Sequence, residues 1–529
     1  FMDALSELAS RQIMEHRDPG TDVERWRFSQ DDLRGVLLSH IHFNQLAALH
    51  RAVAQMFEAQ QDPRLTTQLA RHWEEAGESA RARYYYRVSA LQASEVFAHE
   101  EAVRLYRAYL ALVDTPTAES IEARQTLAKD VLAMMGQLRE ALGEQAIAVE
   151  EAQMIGDPAL EGRALITLAQ LTRRLGDFEQ AREWCRQALT VVRNRGDVRG
   201  EVMALKVLGM VYWNQNHYEA AEALYARCLE LLGTITAPEL LEETLGRKAL
   251  LLWSKGERDE ARKMFSRQLV LVRQGDDRVK EGRVLGNLAS IDRELGDVLQ
   301  AQARFEAALR IHKEVGNRVS QGVVSCNLGM LYADRWQLDL ADDYLDRSVS
   351  ILKEVRHSRG MAVAMANFAM VRLYQGRPNE ARAMFDEAKN AMGPKGQPRH
   401  KAHMYMYMAR LERLGYANYS AARALLKRSM AIFGDYDNGT YLVLCICEEG
   451  HLDLAEGRQA QESLDRARQL FVNSNPGGGS EQANALQRFD RAFHAHARGE
   501  PLWRGTLVVD LPREMREAFG LHAGSADVR

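Results

Sequence analysis

Residues 160–200 read LEGRALITLAQLTRRLGDFEQAREWCRQALTVVRNRGDVRG. Small or apolar residues recur here at spacings of three and four, in two groups: Leu165, Leu168, Ala169 and Thr172, then Ala181, Cys185, Ala188, Leu189 and Val192. These spacings place side chains on one face of an α-helix, and the alternation by two that is typical of a strand is missing. Gly176 and Asp177 stand between the groups, where a glycine-polar step ends one helix and begins the next. The stretch therefore predicts a hairpin of two amphipathic helices.

The same hairpin returns along the chain with a period of 40 residues. Alanine marks it in strict register: Ala141, Ala181, Ala221, Ala261, Ala301, Ala341, Ala381 and Ala421. A larger side chain follows four residues later in most repeats: Cys185, Tyr225, Phe265, Phe305, Leu345 and Phe385. A small residue lets two helix backbones approach closely, and the larger neighbour fills the adjacent groove. Because one hairpin cannot bury both of its faces, the repeats are predicted to stack into an all-α solenoid.

Composition and motifs favour a binding protein over an enzyme. The chain is 46% apolar and 27% charged with a net charge of -4, so nothing overall attracts nucleic acid or an anionic membrane. We find no phosphate-binding glycine loop, no serine elbow and no metal-ligand set, and we expect His400 and His403 to be surface histidines. The five scattered cysteines fit core positions and a reducing compartment. We therefore expect a cytoplasmic protein that is not an enzyme and has no metal or cofactor.

One repeat carries the resemblance to a known family. In residues 321–360 the marker positions are Leu328, Gly329, Tyr332, Ala341, Leu345 and Ser348. This order resembles the signature of tetratricopeptide repeats, which implies a right-handed superhelix (an α-solenoid) with a concave inner groove. The usual unit has about 34 residues, and the 40-residue form is similar to the one in spindle scaffolds, kinesin light chains and bacterial signalling regulators.

The first 68 residues follow another pattern, with Trp26-Arg27-Phe28, Leu33, Val36 and Leu49-His50-Arg51 among its markers. It resembles the winged-helix end that joins a nucleotide-binding module to the repeats in signal-transduction (STAND-type) ATPases, including MalT-like regulators. The resemblance implies the sensor part of a longer regulator, or a relative that has lost its ends. The predicted domains are a winged-helix-like segment (1–68), irregular hairpins (69–119), the repeat array (120–473), and a linker, capping helix and tail (474–529). We expect a short strand at Thr506–Val509 in the tail.

The predicted binding groove follows from one repeat position, the residue just before each Leu-Gly/Ala pair. Asn287, Asn327 and Asn367 occupy it in three consecutive repeats. An asparagine amide both donates and accepts hydrogen bonds, so it can pair with an extended peptide backbone, which is how tetratricopeptide scaffolds resembling this one use the position. The alternative is that each asparagine bonds to the neighbouring hairpin. The other predicted groove residues are Arg163, Trp213, Arg247, Trp253, Arg283, Arg293, Met330, Met370 and Tyr407.

These residues leave three hypotheses open. Arginines could anchor acidic side chains and methionines could adapt to apolar ones, as in a groove for a peptide or protein segment. A sensor for a small ligand, controlling a linked ATPase, cyclase or kinase, instead predicts one deep local pocket near Trp213 and Trp253. The tryptophans could also belong to the core, and the array could be an oligomerising scaffold. The leading hypothesis is a non-catalytic peptide-binding sensor, with a linked or separate nucleotide-binding signalling module as a further partner.

Overall fold

A computed structural model describes residue 11 and residues 14–17, 25–28, 42–393, 397–436, 439–474 and 480–521. These residues divide into two compact units, one up to Val211 and the other from Tyr212 onward. Helices follow one another through both units, as the sequence predicts.

The N-terminal unit contains a short β-hairpin and successive helices. Strands β1 (Met14–Arg17) and β2 (Arg25–Phe28) pair antiparallel, with Met14 opposite Phe28. The helices are α1 (Phe43–Gln60), α2 (Thr66–Glu75), α3 (Ser79–Glu95), α4 (His99–Ala111), α5 (Ala118–Thr126), α6 (Leu138–Ile155), α7 (Pro158–Leu175), α8 (Phe178–Asn194) and α9 (Val198–Asn214), which contains the division between the units. A π-helical turn, Leu127–Leu132, extends α5.

The second unit continues the same succession. Its helices are α10 (Tyr218–Leu232), α11 (Pro238–Lys255), α12 (Arg258–Gln274), α13 (Arg278–Leu295), α14 (Val298–Glu314), α15 (Arg318–Asp334), α16 (Leu338–Glu354), α17 (Ser358–Tyr374), α18 (Pro378–Met392), α19 (Pro398–Tyr416), α20 (Tyr419–Tyr436), α21 (Thr440–Ala455), α22 (Gln461–Ser474), α23 (Glu481–Ala497) and α24 (Arg513–Ala518). Odd-numbered helices from α11 to α19 are the first helices of their hairpins, and each packs against the even-numbered helix that follows. The prediction of an all-α solenoid of tetratricopeptide type is confirmed.

The core of each hairpin lies where the sequence places it. The marker alanines from Ala141 to Ala381 are fully buried, and Phe265, Phe305 and Phe385 are 1% exposed beside them. The last marker is wrong by one residue, because Ala422 is fully buried whereas Ala421 is only partly buried. Helix α20 begins at Tyr419, one residue later than the 40-residue step from Pro378 predicts, so its buried face moves by one position.

The turns between helices repeat as strictly as the core. Gly176 ends α7 with φ 97°, a left-handed conformation that glycine adopts without steric cost. Other residues take the same kind of turn position with φ between 53° and 61°: Asn216, Asp276, Trp336 and Arg356. The fold therefore requires the left-handed turn even in repeats where the sequence does not supply glycine.

The C-terminal segment packs against the end of the array. Phe489 of α23 is fully buried against Gly450 of α21, and Trp503, Leu511 and Met515 join the same hydrophobic core. The strand expected at Thr506–Val509 is wrong. Thr506 forms an isolated bridge with Trp503 across its own turn, and the extended backbone ends at Leu507, where the 3-10 turn Val508–Asp510 begins.

The structure bears differently on the predictions for the N-terminal segment and for the cysteines. Leu33 and Val36, which carry part of the winged-helix resemblance, lie outside the described residues, and the predicted domain boundaries remain predictions. All five cysteines are free and buried, as core residues should be. Among the helices described, none combines the length and apolar character that crossing a bilayer requires.

Candidate functional site

A cavity of about 610 Å³ lies in the second unit, on the side formed by the first helices of the hairpins. We call this side the inner face. The cavity is walled by aromatic residues, methionines, small polar groups and a few charged side chains. These include Trp213, Tyr218, Leu250, Trp253, Ser254, Arg258, Ser290, Arg293, Glu294, Asn327, Met330, Val363, Asn367, Met392, Arg399, His400, His403, Met404, Tyr407, Phe433, Tyr441, Glu481 and Gln482. Its size is in the range of sites for small molecules or short peptide segments, roughly 300–1,000 Å³.

Helical spacing explains how one wall is built. His400, His403 and Tyr407 follow at steps of three and four along α19, so they lie on one side of that helix. Asn327 and Met330 on α15 have the same relation. The first helices of successive hairpins thus bring equivalent faces together, and α21 and α23 add Tyr441 and Glu481.

Glu294 is the centre of one polar cluster in this wall. Trp253 Nε1 donates to Glu294 Oε2 at 3.0 Å, and Arg258 Nε donates to the same oxygen at 2.8 Å. The Tyr441 hydroxyl donates to Glu294 Oε1 at 3.5 Å, across 147 residues of sequence. Arg258 also donates to the carbonyl oxygens of Gly256 and Ser474, at 3.0 Å each. The charges of Glu294 and Arg258 therefore compensate each other, and the hydrogen bond from Trp253 to Glu294 fixes the position of the indole ring.

Arg293 forms a second cluster with two carboxylates. Its Nε donates to Asp334 Oδ2 at 2.8 Å, and its terminal nitrogen lies 3.7 Å from Glu481 of α23. Burial opposes the charge of Arg293, but Asp334 and Glu481 outweigh it, so the pKa of Arg293 is raised. Burial raises the pKa of Glu481, and the negative charge of Asp334 raises it further against the effect of Arg293. The charges of Arg410 and Arg488 also act on Glu481, and both lower its pKa against this rise.

His400 and His403 of α19 are half-buried and line the cavity, whereas the sequence predicts ordinary surface histidines. The His403 ring lies 4.3 Å from the Tyr441 ring and 5.1 Å from Phe433, measured between centroids. Burial lowers the pKa of His403 to about 3, and the charge of Arg399 acts in the same direction. At neutral pH His403 is thus an uncharged ring in an aromatic wall, able to donate or accept one hydrogen bond.

The three asparagines separate into two environments. Asn327 and Asn367 line the cavity, and Asn287 lies outside its wall. Asn367 Nδ2 donates to Cys326 Sγ of the preceding repeat at 3.2 Å. That contact is the bond between neighbouring hairpins that the alternative reading of the sequence describes.

The other predicted groove residues are also divided. Trp213, Trp253, Arg293, Met330 and Tyr407 line the cavity, whereas Met370 lines a space of about 30 Å³ beside it. Arg247 and Arg283 are exposed outside the cavity wall. Arg163 belongs to the N-terminal unit, where it lies 3.5 Å from Glu122 with 52% of its side chain exposed.

Sequence reasoning missed several residues of the wall. Arg258 and Glu294 are charged residues at helix ends, where the pattern predicts solvent. Tyr441 and Glu481 come from helices after the regular repeats, so no periodic position marks them as facing inward. Among the described residues no cluster of three or more histidine, cysteine, aspartate or glutamate side chains is placed to hold a metal ion.

Comparison with known proteins agrees with this architecture. The tetratricopeptide-repeat family model matches residues 160–233, 240–314 and 320–393. No curated protein matches the sequence. Among solved structures, the chain is similar to a STAND protein with a tetratricopeptide repeat sensor from Pyrococcus horikoshii, at 16% identity over 81% of this chain and 58% of that chain, with a TM-score of 0.45.

Two other solved proteins, a quorum sensor and a conjugation gene regulator, are similar to this chain over most of their own length. The apo quorum sensor NprR from B. thuringiensis shares 15% identity over 67% of this chain and 99% of that chain, with a TM-score of 0.48. The Rap conjugation gene regulator of plasmid pLS20, solved in complex with the Phr* peptide, shares 14% identity over 69% of this chain and 97% of that chain, with a TM-score of 0.46. The three stretches that the family model matches coincide with the stacked hairpins between residues 160 and 393, which have the fold of tetratricopeptide repeats.

Proposed function

We propose that this protein is a non-catalytic sensor that binds a short peptide, or an exposed segment of a partner protein, in the cavity of its second unit. The observation that carries the proposal is the cavity itself, a space of about 610 Å³ between stacked helices. Trp213 and Trp253 provide large apolar surfaces there, and Met330 and Met404 can adapt their shape to a side chain.

The polar groups of the wall suit binding better than chemistry. Arg258 and Glu294 form an ion pair, as do Arg293 and Asp334, so their charges are engaged within the protein. Asn327 contributes an amide that can pair with a peptide group of the occupant. Affinity would then come from apolar burial, and orientation from a few hydrogen bonds.

The wider setting is also part of the proposal. The resemblance of residues 1–68 to the winged-helix end of signal-transduction ATPases supports a place in a signalling regulator. In that setting the array is the sensor, and a linked or separate nucleotide-binding module is its partner.

A second candidate is a sensor for a small ligand. It is favoured by the position of the cavity, because a local pocket lined by Trp213 and Trp253 is what that hypothesis predicts. The two candidates differ in the kind of molecule that occupies the same space.

The test uses the full chain and two pools of probes, random hexapeptides and a mixture of common metabolites. Molecules that co-elute with the protein in size exclusion are identified by mass spectrometry, and their affinities are then measured singly. Asn327→Ala is compared with Asn287→Ala, which removes the same side chain from the same repeat position outside the cavity. We expect peptides to be enriched, with affinity lowered roughly tenfold by Asn327→Ala because a hydrogen bond is lost, and nearly unchanged by Asn287→Ala.

Other outcomes decide against the proposal. Equal affinity of the enriched peptides for both variants would place them outside the cavity. Enrichment of metabolites alone, with sensitivity to Asn327→Ala, would establish the second candidate instead.

A further inference from the structure

One buried amide in the cavity wall lacks a hydrogen-bond partner. Gln482, in the first turn of α23, is 2% exposed and lines the cavity. Among the residues that the structure describes, none forms a hydrogen bond with its side chain. Removing an amide from water without giving it a partner costs free energy, and nearly all buried polar groups in native proteins are bonded. The amide of Gln482 is therefore available to a molecule in the cavity.

The other buried glutamines of the described chain differ from Gln482 in this respect. Gln145, Gln268 and Gln321 each donate from Nε2 to an oxygen of the chain, at 2.9, 2.6 and 2.9 Å. All three lie outside the cavity wall. The missing bond is thus a feature of the cavity and not of buried glutamine in this protein.

Two more neutral groups of the lining are open in the same way. The Asn327 amide on α15 and Trp213 Nε1 on α9 have no hydrogen-bond partner among the described residues. Both side chains are half-buried. An amide and an indole nitrogen are uncharged, so this hydrogen-bonding capacity suits a neutral partner.

The charged groups of the lining, by contrast, are engaged within the chain. Arg258 and Glu294 pair at 2.8 Å. Arg399 lies over the Tyr441 ring, 4.6 Å from its centroid, and an aromatic face attracts a guanidinium group. None of these charged groups depends on the occupant for its partner.

The charges around Glu481 are balanced as well. The carboxylates there belong to Asp334, Glu448, Glu481 and Asp510, and the guanidinium groups that act on them belong to Arg293, Arg410, Arg413 and Arg488. Arg491, which also pairs with Asp510, is 51% exposed. Neither an ammonium nor a carboxylate group of an occupant would meet an excess of opposite charge here.

Burial in this wall also disfavours charge of either sign. It lowers the pKa of His403 to about 3, and it raises the pKa of Tyr407 well above its usual range. Burial is the largest cause of both shifts, and the first resists a positive charge whereas the second resists a negative one. A charged group of the occupant would lose its hydration in the same surroundings.

We propose that the part of the occupant inside the cavity carries no charge, and that one of its amide groups completes the hydrogen bonding of Gln482. The amide is a peptide group or the side chain of an asparagine or glutamine. The proposal rests on the proposed function, and it names the ligand class and a residue that selects it in the same cavity.

The test starts from two pools of hexapeptides, all with an acetylated amino end and an amidated carboxyl end. One pool contains uncharged residues only, and each peptide of the other contains at least one lysine, arginine, aspartate or glutamate. We expect enrichment from the uncharged pool. Lysine and glutamate, placed in turn at each position of an enriched peptide, should both weaken binding at least tenfold over the same stretch of positions.

A variant of Gln482 separates binding from folding. Gln482→Met keeps the length of the side chain and removes the amide, so it should weaken binding about tenfold. The melting temperature of the free protein should rise or stay the same, because no hydrogen bond of the free protein is lost. The matched control is Gln321→Met, which removes bonds to the His312 carbonyl at 2.9 Å and from Arg318 at 3.1 Å. It should lower the melting temperature and leave affinity within about twofold.

The outcomes separate this proposal from the broader one. Tighter binding of peptides with one sign of charge inside the stretch would overturn the uncharged class but leave peptide binding intact. A melting temperature lowered as much by Gln482→Met as by Gln321→Met would overturn the role of Gln482. If only metabolites bind, uncharged ligands that are sensitive to Gln482→Met would support this proposal while peptide binding fails. Enrichment from no pool would overturn both.

Discussion

The repeat hairpins and the C-terminal segment of the second unit are stabilised in different ways. Between Tyr218 and Met392 most of the interior is apolar and most ion pairs are at the rims, as with Lys255 and Glu222 (18% and 30% exposed), although single charged residues such as Arg258 and Asp292 are buried. Where the segment from Thr440 to Leu521 packs on α19, a charged network is part of the interior, because Glu448 is 2% exposed and its partner Arg413 of α19 is 3% exposed.

The difference shows where the spacing of residues can predict contacts. In the repeats each core contact recurs 40 residues later, so the same sequence pattern appears several times and can be recognised. In the C-terminal segment each contact occurs once, between residues far apart in sequence, such as Arg413 and Thr506. The comparison can be tested by changes whose effects on stability should differ between the two regions.

The largest effect should follow the loss of Glu448. Its carboxylate accepts from Arg413 at 2.6 Å and from Arg410 at 2.9 Å, all within the protein interior. Glu448→Ala leaves two buried guanidinium groups without this partner, so we expect a loss of about 3–5 kcal/mol in the free energy of unfolding. Urea denaturation measures it. Glu354→Ala, which removes a 64% exposed partner of Arg318 in a repeat, should cost less than about 1 kcal/mol.

The same network should make the free energy of unfolding depend on pH in the acid range. Burial raises the pKa of Glu448, but Arg413 and Arg410 lower it more, so the net pKa is well below its usual range. A depressed pKa in the folded state means that the stabilisation is present above the unfolded pKa of about 4.3 and is lost as pH falls below it. An equal loss of stability on acidification in Glu448→Ala and in the natural chain would show that the network is not its source.

The next largest effect on stability should come from the close contact between Gly450 and Phe489. Adding a methyl group at Gly450 brings it 1.8 Å from the Phe489 ring, so Gly450→Ala should cost about 3 kcal/mol through overpacking. Gly434 of α20 has no neighbouring atom within 4 Å of an added Cβ. Gly434→Ala should therefore raise stability by up to about 1 kcal/mol through helix propensity. Thermal unfolding of the two variants should show shifts in opposite directions.

Sequence reasoning captured the fold better than the site, for reasons that particular residues show. Ala341 and Leu345 are predictable as core because the same pair of positions recurs in successive repeats. Trp253 and Asn327 were predicted to face a ligand because they occupy inner positions of that repeat, and they line the cavity. Glu481 could not be found in this way, since α23 follows a glycine-rich linker and no pattern indicates that it returns to the inner face.

A buried histidine should give a smaller, pH-dependent effect in the C-terminal segment. His451 Nδ1 donates to the Gly505 carbonyl at 2.7 Å, and burial, with the charge of Arg413, lowers its pKa to about 3. The unfolded chain takes up a proton below about pH 6.5 and the folded chain does not, so stability falls as pH falls through this range. Between pH 7 and pH 5 we expect His451 to contribute about 2 kcal/mol of this loss.

Urea denaturation at both pH values checks that contribution. His451→Gln should reduce the loss between pH 7 and pH 5, whereas His494→Gln, at an exposed position of α23, should leave it unchanged. Part of the loss will persist in His451→Gln, because His403 in the cavity wall has a similarly lowered pKa of about 3. If His451→Gln loses as much stability between pH 7 and pH 5 as the natural chain does, then His451 in its contact with the tail is not kept unprotonated by the fold.

The smallest effect concerns the turns of the repeats, where one residue can substitute for its equivalent 40 positions away. Arg356 is exposed and has φ 53°, while Gly316 has φ 70° at the equivalent turn one repeat earlier. A left-handed conformation costs a residue with a side chain about 1–2 kcal/mol, and glycine gives back about 0.5–1 kcal/mol in chain entropy. Arg356→Gly should therefore raise the free energy of unfolding by about 0.5–1 kcal/mol, and Gly316→Ala should lower it by a similar amount. Opposite signs at the two positions would show that the repeat fixes the backbone independently of the residue it receives, a comparison that needs equivalent positions and so can be made only in the repeats.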